Sequence, residues 1–344
     1  MMQEVVTNGA ENHFARYSHV ESELLIDGCE PDLLPDLSVM IPTFRRPHLL
    51  KEAIVSILNQ TAHGLNIEIV IVDNDAESES LELAILVKGF SSSNIRLFRN
   101  KENIGMFGNW NRCIELARAP KLTILNDDDI LHPDFIKTVL TSESQAALSV
   151  AYVQFNEIKN LTWPQIITSN KLKKLTRTDF FQGNPIPGSL GLLMNKNQAT
   201  QLGGYNPDLW PTADYDFSYR YCKFFGIKQI SSKLAAYRWQ DNESMKVATL
   251  EGFLANDIKF RSEIINDCQV APFRFLLQVL SGLITTSNAI GYNSVNDDFD
   301  VYKNIARNKV LCGRVYIFFL KLKPLNRVFR GMLNRLISCK MLKL

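Results

Sequence analysis

The 344 residues contain no uninterrupted apolar run of about 18 residues, so no membrane-spanning helix is expected. The polar, acidic stretch from Met1 to Asp36 lacks the apolar core of a signal peptide. Six cysteines (Cys29, Cys113, Cys222, Cys268, Cys312 and Cys339) are scattered without the paired spacing of a metal site. A reducing, cytoplasmic compartment is therefore the expectation. Net charge is only +2, which implies no general polyanion binding. No G-x-G-x-x-G follows the first strand-like run, and no Walker sequence occurs. Dinucleotide-dependent oxidoreduction and P-loop chemistry are both disfavoured by that absence. What remains is an ordinary globular composition, 46% hydrophobic, which is enough for a sizeable core.

The chain changes character at Leu37. Leu37–Ile41 is an apolar run of strand type, closed by Pro42-Thr43-Phe44-Arg45-Arg46-Pro47. Pro47 suits the first turn of a helix, and Leu50, Ile54, Ile57 and Leu58 share one face of it. Ile67–Val72 is a second strand run and ends in Asp73-Asn74-Asp75; a helix over 80–88 follows. Ile95–Phe98 is a third. A polar loop with Asn103 and Gly105 then enters a helix that carries Asn109 and runs to Ala117. Leu122–Leu125 is a fourth strand. Strands alternating with helices at this spacing predict βαβ units and a mostly parallel α/β sheet. Residues 1–35 form an N-terminal extension with a little helix, 36–250 the α/β domain, and 251–344 a helical region.

Chemistry gathers at the strand ends: Thr43 and Arg45, then Asp73, then Asn126-Asp127-Asp128-Asp129. In a parallel sheet these ends share one edge, where open α/β sheets bind ligands. Three adjacent carboxylates raise one another's pKa values. A divalent cation relieves that conflict. Oxygen ligands favour Mg²⁺ or Mn²⁺, which share their shell with substrate phosphates. A solvated turn capping a helix that starts near Pro133 is the plainer alternative. Asp73 can accept hydrogen bonds from a base or ribose, or cap the helix after it.

Further along, Ala151–Phe155 reads as a strand, and Trp163–Thr178 shows no clear period. Gly183-Asn-Pro-Ile-Pro-Gly-Ser189 is a turn-rich loop, suited to close backbone approach to a ligand or to simple connection. A helix is expected from Asp214, where free backbone N–H groups hold a carboxylate. Ile227–Ser231 is strand-like, and long helical stretches include Phe253–Ile265 and Phe273–Ile284. Val301–Leu344 holds eleven lysines and arginines and no acidic residue.

The ordered set Val39–Arg46, Ile71-Val72-Asp73-Asn74, Asn103-Ile104-Gly105 with Asn109, and Leu125–Pro133 resembles the family 2 glycosyltransferases of bacterial polysaccharide and O-antigen type. The likeness runs from about Leu37 to Glu243. It implies the GT-A fold, a Rossmann-like, mostly parallel sheet flanked by helices, and inverting transfer from a nucleotide-sugar. By this resemblance Asp73 contacts the base. Pro42, Thr43 and Arg45 line the nucleotide pocket, together with Asn103, Gly105, Asn109 and Asp127. The family's Asp-x-Asp-Asp motif puts Asn126 at its first position and Asp128 at the metal-binding one. Asp127 and Asp129 are the further candidates to ligate Mn²⁺ or Mg²⁺. The 183–189 loop resembles the segment facing the transferred sugar. Asp214 matches the general base, with Ala213 where the family has Glu and Asp216 as the neighbouring candidate. Tyr237–Ser244 resembles the segment over the donor phosphates, with Gln240 where relatives carry His. Arg238 there is either a phosphate partner or part of a surface salt bridge.

The implied donor is a UDP-sugar, and the acceptor a hydroxyl of a glycan or lipid-linked carrier in cell-surface polysaccharide synthesis. The one-signed tail predicts peripheral contact with an anionic membrane at the inner face of the cell membrane. No nucleic-acid-binding motif accompanies it, so nucleic acid is not an expected partner; a solvated basic helix is the bland alternative. Two other function classes are weighed. A sugar nucleotidyltransferase needs a Gly-rich loop after the first strand, which Pro42–Arg46 lacks. A non-catalytic, membrane-associated sugar-nucleotide-binding protein would keep the fold without turnover.

Overall fold

Apolar runs with polar ends build one sheet in the computed structural model, which describes residues 11–30, 33–77, 82–90, 94–142, 144–166, 172–239, 243–266, 274–311 and 313. Its strands are β1 (Ser22–Asp27), β2 (Leu37–Thr43), β3 (Ile67–Asp73), β4 (Ile95–Asn100), β5 (Lys121–Ile124), β6 (Ile130–Leu131), β7 (Ala147–Phe155), β8 (Leu172–Lys174), β9 (Leu192–Asn195) and β10 (Ile227–Arg238). They lie in the order β1-β4-β3-β2-β5-β9-β7-β10-β6, with β8 also on β10. The β2, β3, β4 and β5 pairings are parallel, as is β7 with β10. β9 runs antiparallel between β5 and β7, so the sheet is mixed rather than parallel throughout.

β2 is buried along its whole length. Helices α1 (Pro47–Leu58), α2 (Glu82–Lys88), α3 (Gly105–Leu116) and α4 (Phe135–Thr141) belong to the same unit. Val39 and Ile41 of β2 join Leu50 and Ile54 of α1 in the main core cluster. A strand covered on both faces must be apolar at nearly every position, which is why its run is continuous. Pro47 opens α1, as its fixed φ favours. α4 starts at Phe135 rather than at Pro133, because Ile130–Leu131 first pairs with β10. Helices α6 (Lys196–Gln201) and α7 (Ala213–Phe224) complete this unit, with α5 (Arg177–Gln182) outside it.

The extension does more than carry a little helix. A 3-10 turn at His13–Tyr17 is held to α3 by Arg112, which donates to the Tyr17 and Val20 carbonyls at 3.0 and 2.8 Å. β1 adds an antiparallel edge to β4. Its half-exposed face carries no clean alternation, so periodicity does not reveal it.

The described residues form two compact units. The first lies within Met1–Leu175, Ile186–Asp208 and Ala213–Gln240, the second within Thr176–Pro185, Leu209–Thr212 and Asp241–Leu344. The second is helical, with α5, α8 (Val247–Asn266), α9 (Arg274–Val295) and α10 (Val301–Arg307). Inside it Arg261 is fully buried, paired to Asp257 at 3.1 Å and donating to Thr285 and to the Phe181 carbonyl. No helix among the described residues is long and apolar enough to cross a membrane. Most of the basic tail, residues 312 and 314–344, lies outside the described residues.

Candidate active site

The strand register brings the polar ends together. Thr43 of β2 stands opposite Asp73 of β3, and Asp73 opposite Arg99 of β4. Pro42 is buried one residue earlier, opposite Val72. Beyond Thr43 the backbone turns sharply, with Arg45 in the left-handed region at φ +56°. This kink sends two adjacent arginines to different carboxylates. Arg45 forks onto Asp75 at 2.9 and 3.0 Å and reaches Glu77 at 3.0 Å. It holds the Asp75 carboxyl below its ordinary value. Arg46 turns to the triplet: one nitrogen donates to Asp128 Oδ2 at 2.9 Å, the other lies 2.7 Å from Asp127 Oδ1.

The three carboxylates are not equivalent. Asp127 has no exposed side-chain surface and accepts from Thr43 Oγ1 at 2.7 Å. The contact of its Oδ1 with Arg46 is ionic but lacks hydrogen-bond geometry, so that buried oxygen has no hydrogen-bond partner among the described residues. Burial pushes the Asp127 carboxyl up to about 6, against the pull of Arg46 and with the push of the Asp128 charge. Asp129 is also buried, and burial followed by the Asp128 charge raises its pKa. It accepts from the Arg238 N–H at 3.0 Å and from Asn126 Nδ2 at 3.1 Å. Asp128 alone retains some exposure, 13% of its side chain. Among the described residues no three His, Cys, Asp or Glu side chains are arranged to hold a metal ion by themselves.

Arg238 lies beneath this edge. It is buried, donates to the carbonyls of Asp128 and Asn156 at 2.8 and 3.1 Å, pairs with Glu52 and sits over the Phe155 ring. Its ion pair is therefore a buried one, not the surface salt bridge weighed from sequence. Gln240 is outside the described residues.

On the β3 side, Asp73 is buried, accepts from the Asp75 N–H at 3.0 Å and from Arg99 Nε at 2.9 Å, and has its pKa raised by burial. Asn109 is buried as well. It donates to the Val72 carbonyl at 2.9 Å and accepts from Asn100 at 2.9 Å. Asn100 and the Ile104 N–H both donate to Asn74, which donates on to Asn103 at 2.8 Å. Asn103 in turn receives the N–H of exposed Gly105, φ +72°. These amides lock the 100–105 loop to the end of β3; Asn103 and Gly105 are at the surface and Asn109 is the internal prop.

Asp214 lies in the first turn of α7 and accepts the Gly188 N–H at 2.9 Å. The Gly188 carbonyl faces Asn126 Nδ2 at 3.5 Å, at the limit of a hydrogen bond. One turn thus touches both the Asp214 carboxylate and the residue preceding the triplet. Asp216 faces elsewhere, in an ion pair with Arg220 at 2.7 Å; Arg220 also donates to the Leu202 and Gly204 carbonyls. Sequence reasoning named Arg45 but passed over Arg46 and Asn74. The available signal for Arg46 was a second arginine adjoining the same strand end.

Residues 38–198 match the family model described as glycosyl transferase family 2. This segment is a family 2 glycosyltransferase domain. The chain is 33% identical over 113 residues to the Campylobacter jejuni GalNAc(5)-diNAcBac-PP-undecaprenol beta-1,3-glucosyltransferase, covering 33% of this chain and 36% of that protein. It is 28% identical over 144 residues to the Escherichia coli UDP-Glc:alpha-D-GlcNAc-diphosphoundecaprenol beta-1,3-glucosyltransferase WfgD, covering 40% and 55%. The chain thus spans less than two thirds of the length of these curated relatives, as it does of a Mycobacterium tuberculosis protein of unassigned function, at 60%. Among solved structures, the mannosyltransferase PcManGT from Pyrobaculum calidifontis, in complex with GDP-Man and Mn²⁺, superposes with a TM-score of 0.53 at 15% identity, over 94% of this chain and 90% of that one. That likeness establishes the fold, a GT-A-like mixed and mostly parallel sheet flanked by helices.

Proposed function

We propose that this chain is an inverting glycosyltransferase. It moves a sugar from a nucleotide-sugar, with a UDP-sugar favoured, to a hydroxyl of a glycan or lipid-linked acceptor in cell-surface polysaccharide synthesis. The observation that carries this reading is the Gly188 turn, which contacts Asp214 on one side and Asn126, beside the carboxylate triplet, on the other. A base candidate and a diphosphate-end candidate are thereby neighbours although 85 to 88 residues separate them in the chain, as counted from Asp129 and Asn126 to Asp214. The two undecaprenol-linked relatives support the acceptor class, and the UDP-Glc in one of their names supports the donor class.

In this reading Asp214 takes the proton of the acceptor hydroxyl as it attacks the anomeric carbon. The Gly188 N–H orients its carboxylate. Asp128 is the carboxylate that would hold Mn²⁺ or Mg²⁺, ions that take few protein ligands and complete their shell with phosphate oxygens and water. The Oδ1 of Asp127, which meets Arg46 but has no hydrogen-bond partner among the described residues, and the partial exposure of Asp128 fit such an ion. When bound, it supplies charge neutralisation for the departing diphosphate. Thr43, Arg45, Asp73, Asn103 and Gly105 form the nucleotide side. The basic tail is proposed to hold the protein on the inner face of the cell membrane, within reach of a lipid-linked acceptor.

The test is Asp214→Asn, which keeps size and capping ability but cannot take the proton. Turnover should fall roughly 10²–10⁴-fold with UDP affinity retained. Near-normal turnover by that variant would remove Asp214 as the base, and loss of UDP binding would make it a donor-site or folding residue instead.

A further inference from the structure

Asp214 does not hold its turn partner unaided. Gly188 and Ser189 are consecutive left-handed residues, at φ +59° and +55°. Left-handed backbone is strained for a side chain such as serine and persists where the surroundings impose it. Ser189 is fully buried, and its hydroxyl lies 2.8 Å from the hydroxyl of Tyr205. Tyr205 is itself fully buried.

Three further contacts fix Tyr205. Asn111 of α3 brackets its peptide, accepting its N–H at 2.7 Å and donating to its carbonyl at 2.8 Å. Its ring stacks on Phe217 of α7 at 4.1 Å between centroids. Trp110 meets the ring edge-on at 5.2 Å. Phe217 is three residues beyond Asp214, on the same helix. One side chain therefore touches the helix that carries Asp214 and, through Ser189, the turn that donates to Asp214. We propose that Tyr205 is a positioning residue, holding the Gly188–Ser189 turn against α7 so that the Gly188 N–H stays on the Asp214 carboxylate. This rests on the reading of Asp214 as the base.

A purely structural tyrosine and a positioning one differ in what their loss does when Asp214 is already disabled. Tyr205→Phe keeps the ring stack and removes only the tether. It should lower kcat about tenfold, since a misplacement of about 1 Å can cost about 10²-fold and loss of one tether shifts the carboxylate by less than that. Donor KM and UDP affinity should stay as in the unaltered protein. In the Asp214→Asn background the same change should cost no further turnover, because residues that act through one group are not additive. Ser189→Gly, which accepts a left-handed φ, removes the other end of the tether and should give the same pattern; it serves if Tyr205→Phe does not fold. Equal loss in both backgrounds, no loss from either variant, or a raised KM with kcat intact would overturn the inference. If Asp214→Asn is slow while Tyr205→Phe and Ser189→Gly turn over normally, only the positioning role falls. If Asp214→Asn itself turns over normally, the base assignment fails and the positioning role with it.

Discussion

Replacing Asp127 by asparagine should stabilise the ligand-free protein. Burial, opposed by Arg46 and reinforced by the Asp128 charge, pushes this carboxyl from an ordinary 3.8 up to about 6. A folded-state pKa above the unfolded one means that the folded protein binds the extra proton. The contribution of this group is thus most favourable below about pH 4 and is lost as pH rises through about 6. At 1.36 kcal/mol per pKa unit, the charged Asp127 costs the fold about 3 kcal/mol at neutral pH relative to acid. The side chain has no exposed surface, so solvent screening does not reduce that figure. Asparagine can still accept from Thr43 Oγ1, and Arg46 keeps its bond to Asp128. Its amide donors face Arg46, however, which trims the gain. Asp127→Asn in EDTA should therefore raise stability at pH 7.5 by up to about 3 kcal/mol, a melting increase of roughly 2–4 °C per kcal/mol. The gain should disappear near pH 4. Urea denaturation of both proteins across that pH range is the assay. A loss of stability at pH 7.5, or a gain that does not vary with pH, would refute the reasoning.

Asp128→Ala should abolish transfer and weaken UDP binding in Mn²⁺ or Mg²⁺; calorimetry with and without EDTA checks it, and equal UDP affinity of the unaltered protein in both conditions would remove the metal role. Asp216→Asn should cost about 1–3 kcal/mol of stability by loosening Arg220, while turnover stays near that of the unaltered protein; a dead Asp216→Asn enzyme would transfer the base role to that position. The 344-residue chain should bind anionic liposomes in low salt and release them in high salt, and deleting residues 314–344, which leaves α10 in place, should abolish binding while sparing transfer to a soluble acceptor analogue. Indifference of the undeleted chain to such liposomes would exclude the membrane contact.

The runs Leu37–Ile41 and Ile67–Val72 are legible as strands because burial on both faces demands apolar residues at nearly every position. The carboxylates are likewise visible, since their crowding at one strand end is a local property. β1 is not visible: it is half exposed, and its partner strand lies up to 78 residues away. Nor does periodicity tell that β9 runs antiparallel between β5 and β7. The same division holds at the site. The Asp216–Arg220 ion pair is local, one helical turn apart, yet from sequence Asp216 stands only as the neighbouring base candidate. Sequence cannot say that Asp214 meets Gly188, a contact across 26 residues. It supplies three adjacent carboxylates, but only packing decides that Asp127 and Asp129 are sealed in and Asp128 is partly exposed. Local patterns report which residues need burial or a turn. Which strand ends, turns and helices then meet is settled by chain closure over long separations, and that is where the roles of these side chains diverge.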